Sequence, residues 1–380
     1  MTVRQLTDDD AADVGRLSQL AFGYSGELPA TLQGKTFVGE GDTDGLAGIA
    51  RLRHYEQWWG GRRVRMGGIA SVAVHPHARG RGTGRRLMLE LLGLMRELDE
   101  PVSVLYPTAA GIYRRLGWEV VGTLDDTTIP TAALGRLSEP AGVRVRAARP
   151  EDVPVVRSLY DALARSTDGL LARDGIEFPA SDEGVLAADV VALAEVDGHP
   201  AGYVSYQRGS GYRGSQLRVH ELVAERPEAA AALLRSLSTW DSVAATVLWR
   251  GPTSELGLLL PAAVPPATAV QPWMLRIVDA PAAVAARGFP GRDADVAFAL
   301  VDPDVPAHAR GWRLVIESGT GRLEPVGDRD LPQLHVRGLA LLWAGAGDAA
   351  LVRRAGLLDR PLPALDRAFA GQQARILDYF

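Results

Sequence analysis

The chain has 380 residues, of which 47% are hydrophobic and 23% charged, with a formal net charge of −5. That profile predicts roughly two to three globular domains with sizeable cores, and it argues against a general nucleic-acid binder. The absence of cysteine excludes disulfides, thiolate metal sites and thiol nucleophiles. The opening Met1-Thr2-Val3-Arg4-Gln5-Leu6 lacks the basic and apolar stretches of a secretory leader. The best apolar candidate for a membrane span, Leu256 to Val270, is broken by Pro261, Pro265 and Pro266. A cytoplasmic protein with no membrane partner is expected.

In chain order, Val3-Arg4 leads to Asp8-Asp9-Asp10 and then to Val14, Leu17, Leu20 and Ala21. This predicts a short strand, an acidic helix start and an amphipathic helix. Trp58-Trp59 before Gly60-Gly61 predicts a hairpin whose tryptophans face either a substrate cleft or an oligomer contact. Residues 72 to 84 are the most informative: Val-Ala-Val-His-Pro-His-Ala-Arg-Gly-Arg-Gly-Thr-Gly. A β-branched run ends at His75-Pro76, a glycine-rich turn follows, and Leu87, Met88, Leu91, Leu92, Met95 and Leu98 then repeat at helical spacing. Glycines let backbone N–H groups approach a ligand, and a helix start adds partial positive charge, so the turn suits a pyrophosphate. A P-loop would need Lys and Ser/Thr where Arg85 and Arg86 stand. A dinucleotide fingerprint from Gly80 and Gly82 would need its third glycine at Arg85. Further on, Val102 to Tyr106 is a strand, and Ile112 to Leu116 a short helix ended by Gly117.

Arg79, Gly82 and Gly84 match the pattern Arg/Gln-x-x-Gly-x-Gly/Ala. The segment resembles the acetyl-CoA pyrophosphate loop of the GNAT N-acetyltransferase superfamily, which implies acetyl-CoA as cosubstrate. Backbone N–H groups from Gly80 through Arg85 would hold the phosphates, helped by the Thr83 hydroxyl and by the charges of Arg79, Arg81, Arg85 and Arg86. Backbone N–H groups at Val72, Ala73 and Val74 would polarise the thioester, provided their strand splays from its neighbour. Tyr113 fits the Y-x-x-x-G-F/Y ending of these enzymes, with Gly117 and Trp118 after it. The likeness gives Tyr113 the role of acid to the leaving thiolate, a role for which a phenol of pKa about 10 is protonated at neutral pH. Tyr106 is a rival. His75 and His77 are expected to be loop residues, with no metal.

The chain also repeats itself. Val145-Arg146, Pro150-Glu151-Asp152 and the pattern Val155, Val156, Leu159, Tyr160, Leu163 echo the first 21 residues. Val219 to Ala224, with the helix Ala229 to Leu237, echoes the strand Ile69 to Val74 and its helix. The second copy carries Glu225-Arg226-Pro227-Glu228 in place of the glycines, so it is expected to keep the scaffold without the cofactor. After it, Trp273 to Ile277, Val296 to Leu300, Trp312 to Ile316 and Leu323 to Val326 read as strands. Helices follow at 339–342, 349–354 and 362–369, an α+β pattern. Linkers are expected near 130–142 and 261–272.

This combination resembles the Eis-type (enhanced intracellular survival) N-acetyltransferases of actinobacteria over the whole chain. Echoes include Ser71-Val72-Ala73-Val74, Gly111-Ile112-Tyr113, Leu275-Arg276-Ile277, Ala286-Arg287-Gly288-Phe289 and the terminal aromatic. The resemblance implies an α/β and α+β chain of two tandem GNAT-like domains, the second degenerate, plus a sterol-carrier-protein-like domain. The corresponding ranges are 1–135, 136–272 and 273–380. It further implies a homo-oligomer, a hexamer; Thr108 and Ala109 as additional acetyl-CoA contacts; and the terminal carboxylate of Phe380 as catalytic base. Docking of the tail alone is the alternative, with Asp378 and Glu27 as rival carboxylates. The acidic residues common in aminoglycoside-modifying members are not clearly reproduced by Phe22 to Glu27 or by Asp378-Tyr379-Phe380. Other amines, including small molecules and lysine side chains, are therefore the expected acceptors. A lipid carrier using the third domain is the competing function.

Overall fold

The structure is a computed structural model that describes residues 2–42, 45–178, 181–210, 215–260, 267–327 and 329–380. The chain forms two compact units. The first comprises Met1–Gly122, Trp273–Ala374 and Phe380, and the second Thr123–Pro272 and Arg375–Tyr379.

The first unit opens with β1 (Val3–Gln5), α1 (Ala11–Phe22), β2 (Thr36–Asp42), β3 (Gly45–Trp59), β4 (Arg62–Val74), α2 (Thr83–Glu97), β5 (Val102–Leu105) and α3 (Ala110–Arg114). The strands lie in the order β1-β2-β3-β4-β5. All neighbours are antiparallel except β4 and β5, which run parallel with α2 as the crossover. The predicted apolar stripe of α2 is what seats it. Leu87, Met88, Leu91, Leu92 and Met95 are buried against Ala50, Leu52, Ile69 and Leu105. Truncating one of them, Leu91→Ala for instance, should cost about 2–5 kcal/mol. The Gly60-Gly61 turn joins β3 to β4 with φ of +56° and +77°, as a two-residue hairpin requires. Trp58 and Trp59 are both buried, and Trp59 packs on Trp343 with ring centroids 5.6 Å apart. They are core residues of this unit, which corrects both placements expected from the sequence.

β6 (Glu119–Pro130) leads into the second unit, followed by α4 (Thr131–Leu134), β7 (Val143–Ala147), α5 (Val153–Arg165), α6 (Asp182–Val185), β8 (Val190–Val196), β9 (His199–Arg208), β10 (Gln216–Ala224), α7 (Pro227–Leu237), β11 (Thr246–Arg250) and α8 (Thr253–Leu259). Its order is β6-β11-β10-β9-β8-β7, and only β10 and β11 are parallel. Strands β7 to β11 thus repeat the topology of β1 to β5. The stretch expected as a first linker is structured, with Leu134 and Leu137 in the core. Of the second, residues 261–266 lie outside the described residues.

The remainder returns to the first unit: β12 (Ala269–Ile277), α9 (Ala280–Ala286), β13 (Ala294–Val301), β14 (Gly311–Glu317), β15 (Thr320–Val326), β16 (Gln333–His335), α10 (Val336–Trp343), α11 (Ala349–Arg354) and α12 (Ala364–Phe369). β13 to β16 form a four-stranded sheet in the order β15-β14-β13-β16, and with the helices they make the expected α+β unit. β12 does not open that sheet. It pairs antiparallel with β5, from Met274 opposite Leu105 to Ile277 opposite Val102. Meanwhile β6, from Asp126 to Pro130, pairs with β11. Each repeat therefore hands its last strand to the other's ladder. A buried set, Arg276, Asp302 and His308, ties β12 to the α+β unit through contacts of 2.9 and 2.8 Å onto the two Asp302 oxygens. Burial pushes the Asp302 carboxyl up, but hydrogen bonds and charge from His308 and Arg276 outweigh it and hold it at about 2. No described helix is long and apolar enough to cross a membrane.

Candidate active site

The site is built where β4 leaves β5. Their parallel ladder runs only from Met66–Val102 to Ile69–Leu105. On its other side β4 stays paired with β3, but with a bulge: Arg51 faces Ala70 and Ile49 faces Ala73. The extra residue is accommodated at Ser71, whose φ is +50°, a backbone state unusual for a non-glycine residue. Past the bulge the His75 N–H donates to the Ala47 carbonyl at 2.9 Å. Backbone groups alternate sides along a strand, so the N–H groups of Val72 and Val74 face the opening beside β5. This is the splay that thioester polarisation would need.

The turn follows directly. Pro76 to Ala78 form a 3-10 turn, and the Arg79 guanidinium is anchored by an Nε–H bond of 3.3 Å to the Val74 carbonyl. Gly80 and Gly82 have φ of +76° and +80°, and Gly82 caps α2. The first main-chain bond of the helix is Arg86 N–H to Gly82 O at 3.1 Å. The six preceding N–H groups, Gly80 through Arg85, make no hydrogen bond among the described residues. A run of unsatisfied donors at the start of a fifteen-residue helix fits a pyrophosphate.

Two expected contributors face elsewhere. Thr83 is 2% exposed, and its hydroxyl accepts from Arg86 at 3.2 Å. Arg86 itself forks onto the fully buried Glu40, with Nη2–Oε1 at 2.8 Å. It therefore braces the turn, and its charge is spent on Glu40. Arg85 is exposed, its Nη2 2.5 Å from Asp304. Arg79 and Arg81 are exposed on the turn.

Tyr113 lies on α3, 8% exposed, in the core cluster that includes Ile69, Leu87, Leu105 and Trp118. Its hydroxyl makes no hydrogen bond among the described residues, and burial pushes the phenol pKa up. Thr108 and Ala109 are exposed just ahead of α3. The ring of Phe380 packs on Tyr55 and Tyr106, with centroids at 4.8 and 5.6 Å. Gly68 makes room for it, since a Cβ there would lie 2.8 Å from the Phe380 ring. Tyr55 and Gly68 escaped the sequence reading, although a glycine pair inside a strand is itself a sign of close approach. Glu27 is exposed in the segment after α1. Asp378 belongs to the second unit, where Arg173 binds its carboxylate at 2.9 Å. The rings of His75 and His77 lie 5.0 Å apart on the turn, and among the described residues no group of three could hold a metal.

The second unit has the same frame without the turn. The Glu225 N–H donates to Ala201 O at 2.9 Å, as His75 does to Ala47, and Ala230 N–H bonds Arg226 O at 3.2 Å, as Arg86 does to Gly82. Only Glu225 and Arg226 separate strand end from helix start. Pro227 removes a donor, and the Glu228 carboxylate bonds its own N–H, which pulls its pKa down. The helix start is filled by a built-in anion.

Comparison with known proteins finds three family matches along the chain. Acetyltransferase (GNAT) domain families match residues 2–121 and 169–277, and a sterol carrier protein domain family matches 280–377. The second range ends with β12. The crystal structure of a GCN5-related N-acetyltransferase from Kribbella flavida is 36% identical, with 100% of this chain and 98% of that one covered and a TM-score of 0.85. One from Anabaena variabilis is 26% identical, with all of both chains covered and a TM-score of 0.88. N-acetyltransferase Eis of Mycobacterium tuberculosis is 29% identical over 336 residues, 80% of this chain and 77% of that protein.

Proposed function

Because the chain belongs to the GCN5-related N-acetyltransferase superfamily, we propose that it transfers acetyl from acetyl-CoA directly to primary amines of small molecules or lysine side chains, and that residues 72–85, Thr108, Ala109, Tyr113 and Phe380 carry the reaction. The observation that supports this most is the continuity of three features: the bulged end of β4, the six free N–H groups and the buried phenol of Tyr113. When bound, acetyl-CoA supplies the thioester, whose acetyl carbon bonds the amine nitrogen as its C–S bond breaks. The residues do the rest. The N–H groups of Gly80 through Arg85 bind the pyrophosphate, with Arg79 and Arg81 adding charge. The N–H groups of Val72 and Val74 hold the pantetheine arm and the thioester oxygen, whose growing negative charge they stabilise. Tyr113 gives its proton to the leaving sulfur. Its raised pKa keeps that proton in place at neutral pH.

The incoming ammonium must first lose a proton, and the Phe380 carboxylate is the proposed acceptor. A free α-carboxylate, with pKa about 3.5, is a weak base for this work. Docking of the ring among Tyr55, Gly68 and Tyr106 is what would hold the group in an apolar setting and raise its basicity. The test is thiol release from acetyl-CoA with a panel of amines. It compares the native chain, a chain extended by Gly-Ser, and a semisynthetic chain ending in the Phe380 carboxamide. Loss of turnover in both altered chains, with acetyl-CoA binding kept, is the expected outcome. Unchanged turnover sinks the carboxylate role. No turnover and no acetyl-CoA binding by the native chain would overturn the whole proposal.

The resemblance to Eis carries the proposal of a hexamer, which light scattering tests. The carrier alternative is less well supported. At the centre of the α+β unit the Arg287 guanidinium sits 4.8 to 5.8 Å from the rings of Trp59, Phe289, Trp343 and Phe369. A buried cation is a poor lining for a lipid tail.

A further inference from the structure

Arg85 and Arg86 stand side by side at the start of α2, and each is met by a carboxylate. The two meetings differ. Every nitrogen of the Arg86 fork is engaged: Nε and Nη2 bind Glu40 at 3.1 and 2.8 Å, and Nη1 donates to the Arg81 carbonyl at 2.9 Å. Arg85 makes a single bond, from Nη2 to Asp304 Oδ1 at 2.5 Å. Its Nε and Nη1 have no hydrogen-bond partner among the described residues.

Asp304 lies 219 positions further along the chain. It sits between β13 and the turn Pro306–His308 of the α+β unit, in the same compact body as α2. Its side chain is 3% exposed, against 52% for Arg85. The Asp304 N–H donates to Asp302 Oδ1 at 3.2 Å, and Asp302 is fixed in turn by Arg276 and His308. The carboxylate is therefore mounted on a buried cluster, and the guanidinium that it holds stands half in solvent. A buried carboxylate without its cation is costly, so Asp304 keeps Arg85 in place. Side chains of a helix lean back toward its N-terminus. Arg85, the third residue of α2, thus reaches toward the turn whose N–H groups are free. An exposed arginine ordered only by its ligand loses rotamer freedom on binding, whereas one already held has lost it beforehand.

We propose that Asp304 is a positioning residue for the cosubstrate: it holds Arg85 with Nε and Nη1 open to the phosphates of acetyl-CoA, so that the α+β unit contributes to the acetyl-CoA site of the N-terminal repeat. This role rests on the acetyl-CoA reading above. It also opposes simple charge counting, by which removing an acidic residue beside the turn would tighten the binding of a polyanion.

The test is calorimetric titration of the full chain with acetyl-CoA, together with kcat at saturating acetyl-CoA. Arg85→Ala and Asp304→Ala should each weaken acetyl-CoA about tenfold, and the double variant should bind no more weakly than Arg85→Ala alone. Turnover at saturation should stay within about twofold of the native chain, which a general loosening of the fold would not give. Asp304→Asn keeps an acceptor oxygen for Arg85 without the charge and should weaken binding by about threefold. It also replaces Asp304→Ala if thermal unfolding shows that variant to be unfolded. Unchanged or tighter acetyl-CoA binding in the folded Asp304 variants, full affinity in Arg85→Ala, or losses that multiply in the double variant would overturn the positioning role. A native chain that binds no acetyl-CoA would instead be a failure of the acetyl-CoA reading itself.

Discussion

In the first unit Arg4 pairs with Asp10 at 2.6 Å, and the Asp10 carboxylate also accepts the Thr7 N–H at 2.9 Å. In the second, Arg146 pairs with Asp152 at 2.6 Å, and Asp152 accepts the Arg149 N–H at 2.8 Å. The same residues at the same spacing make the same ion pair and the same helix start, 142 positions apart along one chain. The repeats part at the turn. Gly80 through Arg85 present free donors, whereas Pro227 and Glu228 close the corresponding helix start with a missing N–H and a carboxylate. A scaffold survives on core burial and local ion pairs, which tolerate the loss of a ligand. A phosphate site survives only while its donors stay unpaired, a condition that helix stability alone disfavours.

The contrast can be broken at its chemical centre first. Tyr113→Phe removes the proposed proton donor while keeping the ring's packing. It should lower kcat about a thousandfold, on the order of 4 kcal/mol in barrier, with acetyl-CoA affinity unchanged. Equal turnover by the variant would hand the acid role to Tyr106 or to water. Next is the turn. Gly82→Val places a branched side chain at φ +80°, with its Cβ 3.0 Å from the Arg86 guanidinium. Acetyl-CoA kcat/KM should fall about a hundredfold, nearly 3 kcal/mol, mainly through KM. The mirror change, Glu228→Ala in the second unit, should leave acetyl-CoA kinetics as they are, since Pro227 and the shortened connection remain. Acetyl-CoA binding gained at that helix start would show that charge alone separates the repeats.

What the sequence made legible was local. The turn from Arg79 to Gly84, the helix stripe from Leu87 to Leu98 and the Val-Arg…Asp openings of both repeats are each written within a few residues, and each forms the expected element. What escaped depends on partners far away in the chain. Arg86 reads as a phosphate ligand until Glu40, 46 residues away, is seen to hold it. The Trp58-Trp59 pair reads as lining a cleft or an oligomer contact until both are seen to be buried, Trp59 against Trp343. β12 reads as the first strand of the α+β sheet because nothing in Trp273 to Ile277 says that β5 is its neighbour. The ion pairs of Arg173 with Glu221 and Asp378 join residues up to 205 positions apart, so no spacing rule reveals them.

The smallest effect tests the shared part of the comparison. Asp10 and Asp152 are both held at about 2, chiefly by hydrogen bonds from Arg4 and from Arg146. A carboxylate whose folded pKa is depressed stabilises the fold above its unfolded pKa, near 3.9, and that contribution fades as pH falls toward 2. The Arg4 side chain is 56% exposed and that of Arg146 only 23%, so solvent screens the first pair more strongly. Asp10→Asn should therefore cost about 1 kcal/mol at neutral pH and Asp152→Asn somewhat more, the latter also losing a partner that Arg146 shares with Glu195 at 2.7 Å. Chemical unfolding from pH 7 to pH 2.5 reads both. The gap between each variant and the native chain should narrow below pH 4, and a gap independent of pH would mean that helix capping, which Asn can supply in part, rather than charge holds the two openings together.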